Sequence, residues 1–318
     1  MKRITLILVV IALLTLNTKA QKQAFNGATY VCNFETLQGR LNGNYVSYYK
    51  NGKKKAEGKF ENNCRKGIWT VWDTTGRLRM QRDYENILCF NRIIPAFPTD
   101  KNIELLNTPK YTLQYNKDGY IQCSDVKERM VVWDTRIWRL ISPQDNQLLF
   151  DNNKLLEIIS TYIKNKGEVY KDEELTKKLD IKAFDASIYK VVGFKIKEDQ
   201  FLDNDRQVSD VRIIGISLIL IEKETNVTSD LGWIYFPDFR KTLAQEKMND
   251  ATVPAYIKSY DDLFFFRYFY GQIQKQSNMN DFYITNYKFT KEEIDKEALR
   301  IDMDIIDTEH DFWISLTK

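Results

Sequence analysis

Aromatic and apolar positions recur with a fixed offset in the first part of this chain. Gly43-Asn-Tyr45, Tyr48 and Asn51-Gly52-Lys53 repeat 24 residues later as Gly67-Ile-Trp69, Trp72 and Thr75-Gly76-Arg77. Lys55 with Arg79 and Phe60 with Tyr84 extend the register. Each copy reads as an aromatic strand, a glycine turn and a second strand. Aromatic residues favour strands, and Asn51-Gly52 supplies positive φ angles for a tight hairpin. Such a unit cannot bury its own face, so copies must stack side by side. Residues 111–122 have the spacing of a degenerate third copy, with Tyr115 four residues before Gly119.

The pattern changes after residue 128. Asp151 is placed to cap a helix whose Leu155, Ile158, Ile159, Tyr162 and Ile163 share one face, ending at Gly167. Strands follow at residues 188–197, at 211–222, where a near-continuous β-branched run requires cover on both faces, and at 231–236, stopped by Pro237. A helix begins at Tyr260 with Ser259 as N-cap and Asp261 and Asp262 in its first turn. The last helix opens on the capping box Thr290-Lys-Glu-Glu293 and runs through Ile294, Ala298, Ile301 and Ile305. The predicted fold class is α+β, with stacked hairpins first and then helices packed on a mostly antiparallel sheet. The expected division is a leader (1–20), a hairpin-repeat region (21–94), a proline-interrupted linker holding the degenerate repeat (95–127), and a C-terminal domain (128–318).

The leader follows from Lys2 and Arg3, an apolar run from Ile4 to Leu16, and Thr18-Lys-Ala20 before Gln21. That is the form of a secretory signal peptide, and its apolar run of about 13 residues is short of the roughly 20 that cross a bilayer. No direct membrane span is expected, and the periplasm is the expected compartment. Removing the leader takes away three cations and no anion, bringing the formal charge from +3 to zero. A balanced chain lacks the basic excess of a nucleic-acid partner. The cysteines Cys32, Cys64, Cys89 and Cys123 all precede residue 124 and suit up to two disulfides, with three connectivities open. None forms a close pair of the kind a metal site uses.

Catalytic chemistry finds no foothold. His310 is the sole histidine, and no nucleophile elbow, zincin helix or phosphate-cradling glycine loop occurs. No cofactor or metal is expected. The carboxylates of the last helix lack the glycine loop of a calcium site. The candidate functional residues are aromatic instead. Phe264, Phe265, Phe266, Tyr268, Phe269 and Tyr270 surround the helix that starts at Tyr260. Aromatics and arginine are the usual anchors of protein interfaces. Asp261, Asp262, Phe265, Phe266, Arg267 and Phe269 are therefore partner-interface candidates together with Trp233 and Tyr235, and Tyr45, Tyr48, Trp69 and Trp72 are candidates for a repeat face.

Two resemblances follow from these residues. The hairpin pattern of aromatic strand, Asn-Gly-Lys turn, Glu57-Gly58 and Gly67-x-Trp69 resembles the MORN repeat in its bacterial YwqK-type form. Residues 232–240, 259–269, 191–203, 208–216 and 309–313, in this order, resemble the GldN/PorN family of the type IX secretion and gliding motility machinery of Bacteroidetes-type bacteria. The likeness spans about three fifths of the chain. It implies a non-enzymatic periplasmic subunit that self-associates in a ring with an outer-membrane lipoprotein of the GldK/PorK kind and contacts an inner-membrane GldM/PorM-like protein. The repeat array is not a usual part of that family, which leaves open a paralogue with a modified docking role; the competing expectation is an envelope-binding accessory module whose repeats bind cell wall, lipid or a protein partner.

Overall fold

The computed structural model describes residues 20–37, 40–61, 63–84, 92–95, 114–181, 184–250 and 253–316. The leader before Ala20, Cys89 and most of the expected linker lie outside them. The chain divides into two compact units, Met1–Thr108 with Trp313–Lys318, and Pro109–Phe312.

The first unit is a seven-stranded antiparallel meander in sequence order. Its strands are β1 (Gln21–Asn26), β2 (Tyr30–Leu37), β3 (Arg40–Tyr49), β4 (Lys54–Glu61), β5 (Cys64–Trp72), β6 (Leu78–Asp83) and β7 (Arg92–Pro95). The 24-residue repeat has a geometric counterpart. The Gly52 amide donates to the Tyr49 carbonyl and the Tyr49 amide to that of Lys53, and Asp73, Gly76 and Arg77 repeat both bonds. Asn116, Gly119 and Tyr120 form the same pair of bonds in the second unit. Gly52, Gly76 and Gly119 take φ of +82°, +86° and +88°. Only the glycine has positive φ in the first of these turns, so Asn51 plays a different part from the one expected: its side-chain oxygen accepts from the Lys53 amide.

One face of this sheet is core. Cys32, Ser47, Ala56, Val71 and Met80 form a buried row across five strands. In the next row Tyr45 and Trp69 flank Gly58, with ring centroids 5.4 Å apart and Phe60 edge-on to Trp69. The indole lies over Gly58 so closely that a Cβ there would meet it at 2.2 Å. Tyr48 and Trp72 remain half-buried, with the Lys54 ammonium 5.2 Å above the Trp72 ring. Cys32 and Cys64 stand on β2 and β5, three strand spacings apart at about 5 Å each, which rules out the connectivity that pairs them. Cys32, Cys64 and Cys123 are not joined to one another.

The second unit holds a five-stranded antiparallel sheet in the order β11, β10, β9, β8, β12. These are β8 (Val131–Ile141), β9 (Tyr189–Asp203), β10 (Val208–Glu222), β11 (Thr228–Tyr235) and β12 (Gln272–Gln276). The helices are α1 (Gln147–Phe150), α2 (Lys154–Lys164), α3 (Phe236–Gln245), α4 (Tyr260–Phe265) and α5 (Lys291–Ser315). Sheet residues Ile141, Phe194, Ile196, Ile216, Leu218 and Ile234 meet Leu155, Ile159, Phe239, Leu243, Leu263 and Phe264 in one core. Ile137 and Ile273 meet Ala298 and Ile301 of α5 in another. The opposite face carries a polar row, in which Trp138 lies between Lys275 (4.0 Å) and Lys197 (5.4 Å). Glu173 covers it, its carboxylate taking bonds from Lys275 at 2.9 Å and Tyr283 at 2.7 Å, and its carbonyl one from Lys197 at 2.6 Å.

Local chemistry explains where the elements differ from expectation. Asp151 falls in a 3-10 turn, and Asn153, left-handed at φ +57°, precedes α2; its side chain ties the helix start to Tyr189 and Val191 of β9 instead. At the other end Lys166 holds the left-handed position, φ +64°, while Gly167 follows it because Tyr162 leaves no room for a Cβ. Pro237 does not merely stop a strand: it sits in the first turn of α3, where its missing N–H costs nothing. The Ser259 N-cap and the Thr290 capping box form as expected, and Asp262 turns the Ser259 cap into a second capping box.

Gly58→Ala is expected to lower the stability of the intact protein by about 1–3 kcal/mol through overpacking against Trp69. Gly52→Ala, in open space, is expected to cost about 1 kcal/mol through its positive φ alone. Urea denaturation followed by tryptophan fluorescence measures both.

Candidate interaction surface

The residues marked as interface candidates converge around α4, but most of the charged ones are turned inward. Asp261 is fully buried and receives two parallel bonds from Arg240 of α3, Nε to Oδ1 at 2.8 Å and Nη2 to Oδ2 at 2.7 Å. The same guanidinium lies 4.6 Å from the Tyr120 ring centre and 5.4 Å from that of Phe265, and its Nη1 donates to Cys123 Sγ at 3.4 Å. Burial raises the Asp261 pKa, with the Arg240 bonds opposing it. Asp262 caps α4: its Oδ2 accepts from the Lys258 and Ser259 amides, and the Tyr115 hydroxyl donates to it at 3.2 Å. Burial and the Asp262 charge push the Tyr115 phenol up to about 12.

Arg267 follows α4 at φ +54°. The Arg267 amide donates to the Phe264 carbonyl and the Tyr268 amide to that of Leu263, which closes the helix in a Schellman motif with arginine where glycine is usual. A side chain in that conformation costs about 1 kcal/mol. Its partner accounts for the residue choice. Arg267 reaches Glu198 of β9 through Nη1 at 2.6 Å and Nη2 at 3.1 Å, and Arg139 of β8 reaches the same carboxylate through Nε at 2.8 Å. Arg139 extends to the Gly271 carbonyl at 2.9 Å and to Asp302 of α5 at 3.1 Å. Burial alone would raise the Glu198 pKa, but Arg267 and Arg139 outweigh it and hold the carboxyl down to about 2. The turn at Arg267 ends the helix after six residues, so Phe266 to Tyr270 are turn residues and not a continuous helical surface.

What faces outward is aromatic. Tyr235 and Tyr268 are 38% and 41% exposed. Phe265, Phe266 and Phe269 are half-buried; Phe266 packs edge-on against Phe265 at 5.1 Å and Tyr256 at 5.0 Å, and Phe269 lies 5.9 Å from Phe264. Trp233 is buried, and its backbone exchanges two bonds of 2.7 Å with Tyr170. A second exposed group, which the sequence did not single out, lies between β12 and α5: Met279, Phe282, Tyr287 and Phe289, the last 83% exposed. The Asn278 side chain donates to the Phe282 carbonyl and accepts from its amide, and the Phe289 amide donates to the Glu293 carboxylate, which holds this segment in shape. Of the repeat aromatics, Tyr45 and Trp69 are core, whereas Tyr48 and Trp72 are half-buried.

Glu198, Arg139 and Arg240 were not marked in the sequence, because their partners lie 21 to 163 residues away. Glu198 falls just past the strand expected at residues 188–197, which the structure extends to Asp203. Among the described residues no group of three His, Cys, Asp or Glu side chains is placed to hold a metal ion, and no helix is long and apolar enough to cross a membrane. The buried carboxylates of this region are bound to cations or helix amides. The arrangement is an aromatic surface on an α+β support whose charged side chains are engaged within the fold.

Residues 126–314 match the family model described as gliding motility associated protein GldN. The chain belongs to the GldN family, and is a gliding motility and type IX secretion component of a structural family that is not one of enzymes. No curated protein matches the chain.

Arg267→Ala leaves Glu198 with one guanidinium and is expected to destabilise the protein by about 3–5 kcal/mol. Arg267→Gly relieves the backbone and is expected to be about 1 kcal/mol less damaging than Arg267→Ala, the reverse of their order in an exposed helix. Denaturant titration distinguishes the two. The Glu198 pKa also gives a pH dependence. Its folded value of about 2 lies below the ordinary 4.5, so the stabilisation is complete above 4.5 and is lost as pH falls from 4.5 through 2. About 3 kcal/mol is at stake. Glu198→Gln should flatten that part of the stability curve in urea titrations at successive pH values.

Proposed function

We propose that the protein is a periplasmic structural subunit of the type IX secretion and gliding apparatus, exported by its N-terminal leader. In this reading it assembles with a GldK/PorK-like outer-membrane lipoprotein in a ring that includes further copies of itself, and it contacts a GldM/PorM-like inner-membrane partner. The observation that carries the reading is the family match over residues 126–314. Its support in this chain is the division of labour around α4. Asp261, Asp262 and Arg267 hold the fold, while Tyr235, Tyr268, Phe265, Phe266 and Phe269 offer adaptable apolar area with little conformational freedom to lose.

A second reading concerns the N-terminal sheet, whose 24-residue hairpin repeat resembles the MORN pattern in sequence. Residues 21–84 contain twelve Lys and Arg against five Asp and Glu, although the exported chain is balanced overall. Lys50 and Lys53 stand exposed beside the hairpin turns, and among the described residues their ammonium groups donate to the Asn26 amide oxygen and the Thr75 carbonyl, not to a carboxylate. This charge, with half-buried Tyr48 and Trp72, suits an accessory contact with anionic envelope material.

Tagged protein purified from its own envelope fraction should bring a lipoprotein with it in a large assembly. Tyr235→Ala with Tyr268→Ala should weaken that recovery by about 2 kcal/mol or more, roughly 30-fold, with stability changed by no more than about 0.5 kcal/mol. Recovery of a lone monomer from wild type contradicts the subunit reading. Lys50→Glu with Lys53→Glu should reduce sedimentation with envelope material without affecting lipoprotein recovery if the second reading holds.

A further inference from the structure

We propose that residues 171–178 form a displaceable strap, and that the polar site beneath it binds a glutamate-bearing segment of a partner protein, for which Glu173 is the internal stand-in. The site lies on the face of the five-stranded sheet away from the main core. It is one row across β9, β8 and β12, in which Lys197 pairs with Trp138 and Trp138 with Lys275. These three residues are buried, whereas no residue of the strap is. The site is independent of the α4 surface and of the export reading.

Two groups in this row are short of partners. Among the described residues Lys197 has no carboxylate within ion-pair distance, and its ammonium donates to the Glu173 main-chain carbonyl at 2.6 Å. Burial and the neighbouring Arg136 lower the Lys197 pKa, with Glu173 opposing them. The Trp138 indole Nε1 is buried with no acceptor among the described residues. A buried cation without an anion and a buried donor without an acceptor are both costly, and a carboxylate answers both. Lys275 shows what such a group looks like in place, with Glu173 at 2.9 Å and Asp281 at 2.5 Å, and Tyr283 donates to the same Glu173 carboxylate at 2.7 Å. The present occupant is thus a glutamate residue held at two points, its carboxylate and its carbonyl. That is recognition of a peptide and not of a small anion.

The strap keeps its shape without the sheet. The Asp172 carboxylate accepts from the Thr176 and Lys177 amides, and the Lys171 amide donates to the Lys177 carbonyl at the neck, below which Tyr170 is fixed to Trp233. Among the described residues, every hydrogen bond from the strap to the sheet or to Tyr283 ends on Glu173. The strap can lift as a unit when those bonds are exchanged for a partner's. Until then Glu173, being tethered, competes with any free peptide at a high effective concentration.

The test measures binding of a fluorescent oligoglutamate peptide to the intact protein by anisotropy, with oligoglutamine carrying the same label as control. Glu173→Ala removes the internal competitor and should bind oligoglutamate about 10-fold or more tighter than wild type. Adding Lys197→Met to that variant should return the affinity to the wild-type level. No gain in Glu173→Ala, no loss on adding Lys197→Met, or equal binding of oligoglutamine overturns the proposal. Displacement of the peptide by an equal concentration of inorganic phosphate makes this a small-anion site and overturns the peptide reading. Wild type supplies a second readout that does not depend on the variants folding. Labelling of Lys197 by an amine reagent, followed by mass spectrometry, should be suppressed by saturating oligoglutamate, and labelling that the peptide leaves unchanged overturns the proposal.

Discussion

The buried carboxylate of Glu198 is the group on which the second unit depends most. It sits on a central strand, and an ionised carboxyl without partners there is untenable. Two guanidiniums from different elements resolve this, Arg139 on the neighbouring strand and Arg267 in the turn after α4. Each has further consequences. Arg139 also reaches Asp302 and so ties α5 to the sheet, and Arg267 must adopt a left-handed backbone to reach its partner. The aromatic turn that follows α4 is therefore positioned by a charge interaction and only secondarily by its own packing.

That constraint shapes the functional surface. A turn held from below by Glu198, and a helix held from the side by Arg240 and Asp261, present their aromatics while the charged groups are engaged within the fold. A pre-ordered aromatic surface loses little entropy on docking, which fits the subunit role proposed above. The segment from Met279 to Phe289 follows the same rule, with amide and carboxylate side chains shaping the backbone beneath exposed apolar ones.

Much of this was legible in the sequence, and the losses have a common cause. The 24-residue repeat, the N-cap at Ser259, the capping box at Thr290 and the strands expected at residues 188–197 and 211–222 are local signals, and each lies in an element of the expected kind, although both strands run to 15 residues. The GldN resemblance was carried by short blocks and agrees with the family match. Long-range pairing was not legible. Asp261, Asp262 and Arg267 read as interface anchors because charge beside aromatics suggests a surface, yet their partners on α3, at the helix start and on β9 turn them inward. Strands β8 and β12 have polar residues at buried positions, Arg139 and Lys275, which broke the apolar alternation that would have revealed them. Helix α3 was hidden by Pro237, read as a stop when it was a start.

The most direct test of the central role given to Glu198 is native-state hydrogen exchange on the wild type and on Glu198→Gln. The account predicts that the Tyr268 amide, bonded to Leu263 in the motif that Arg267 closes, loses most of its protection in the variant while the amides of β10 retain theirs. Unchanged protection at Tyr268, or an equal loss across the whole sheet, would contradict the claim that this one carboxylate holds the aromatic turn in place.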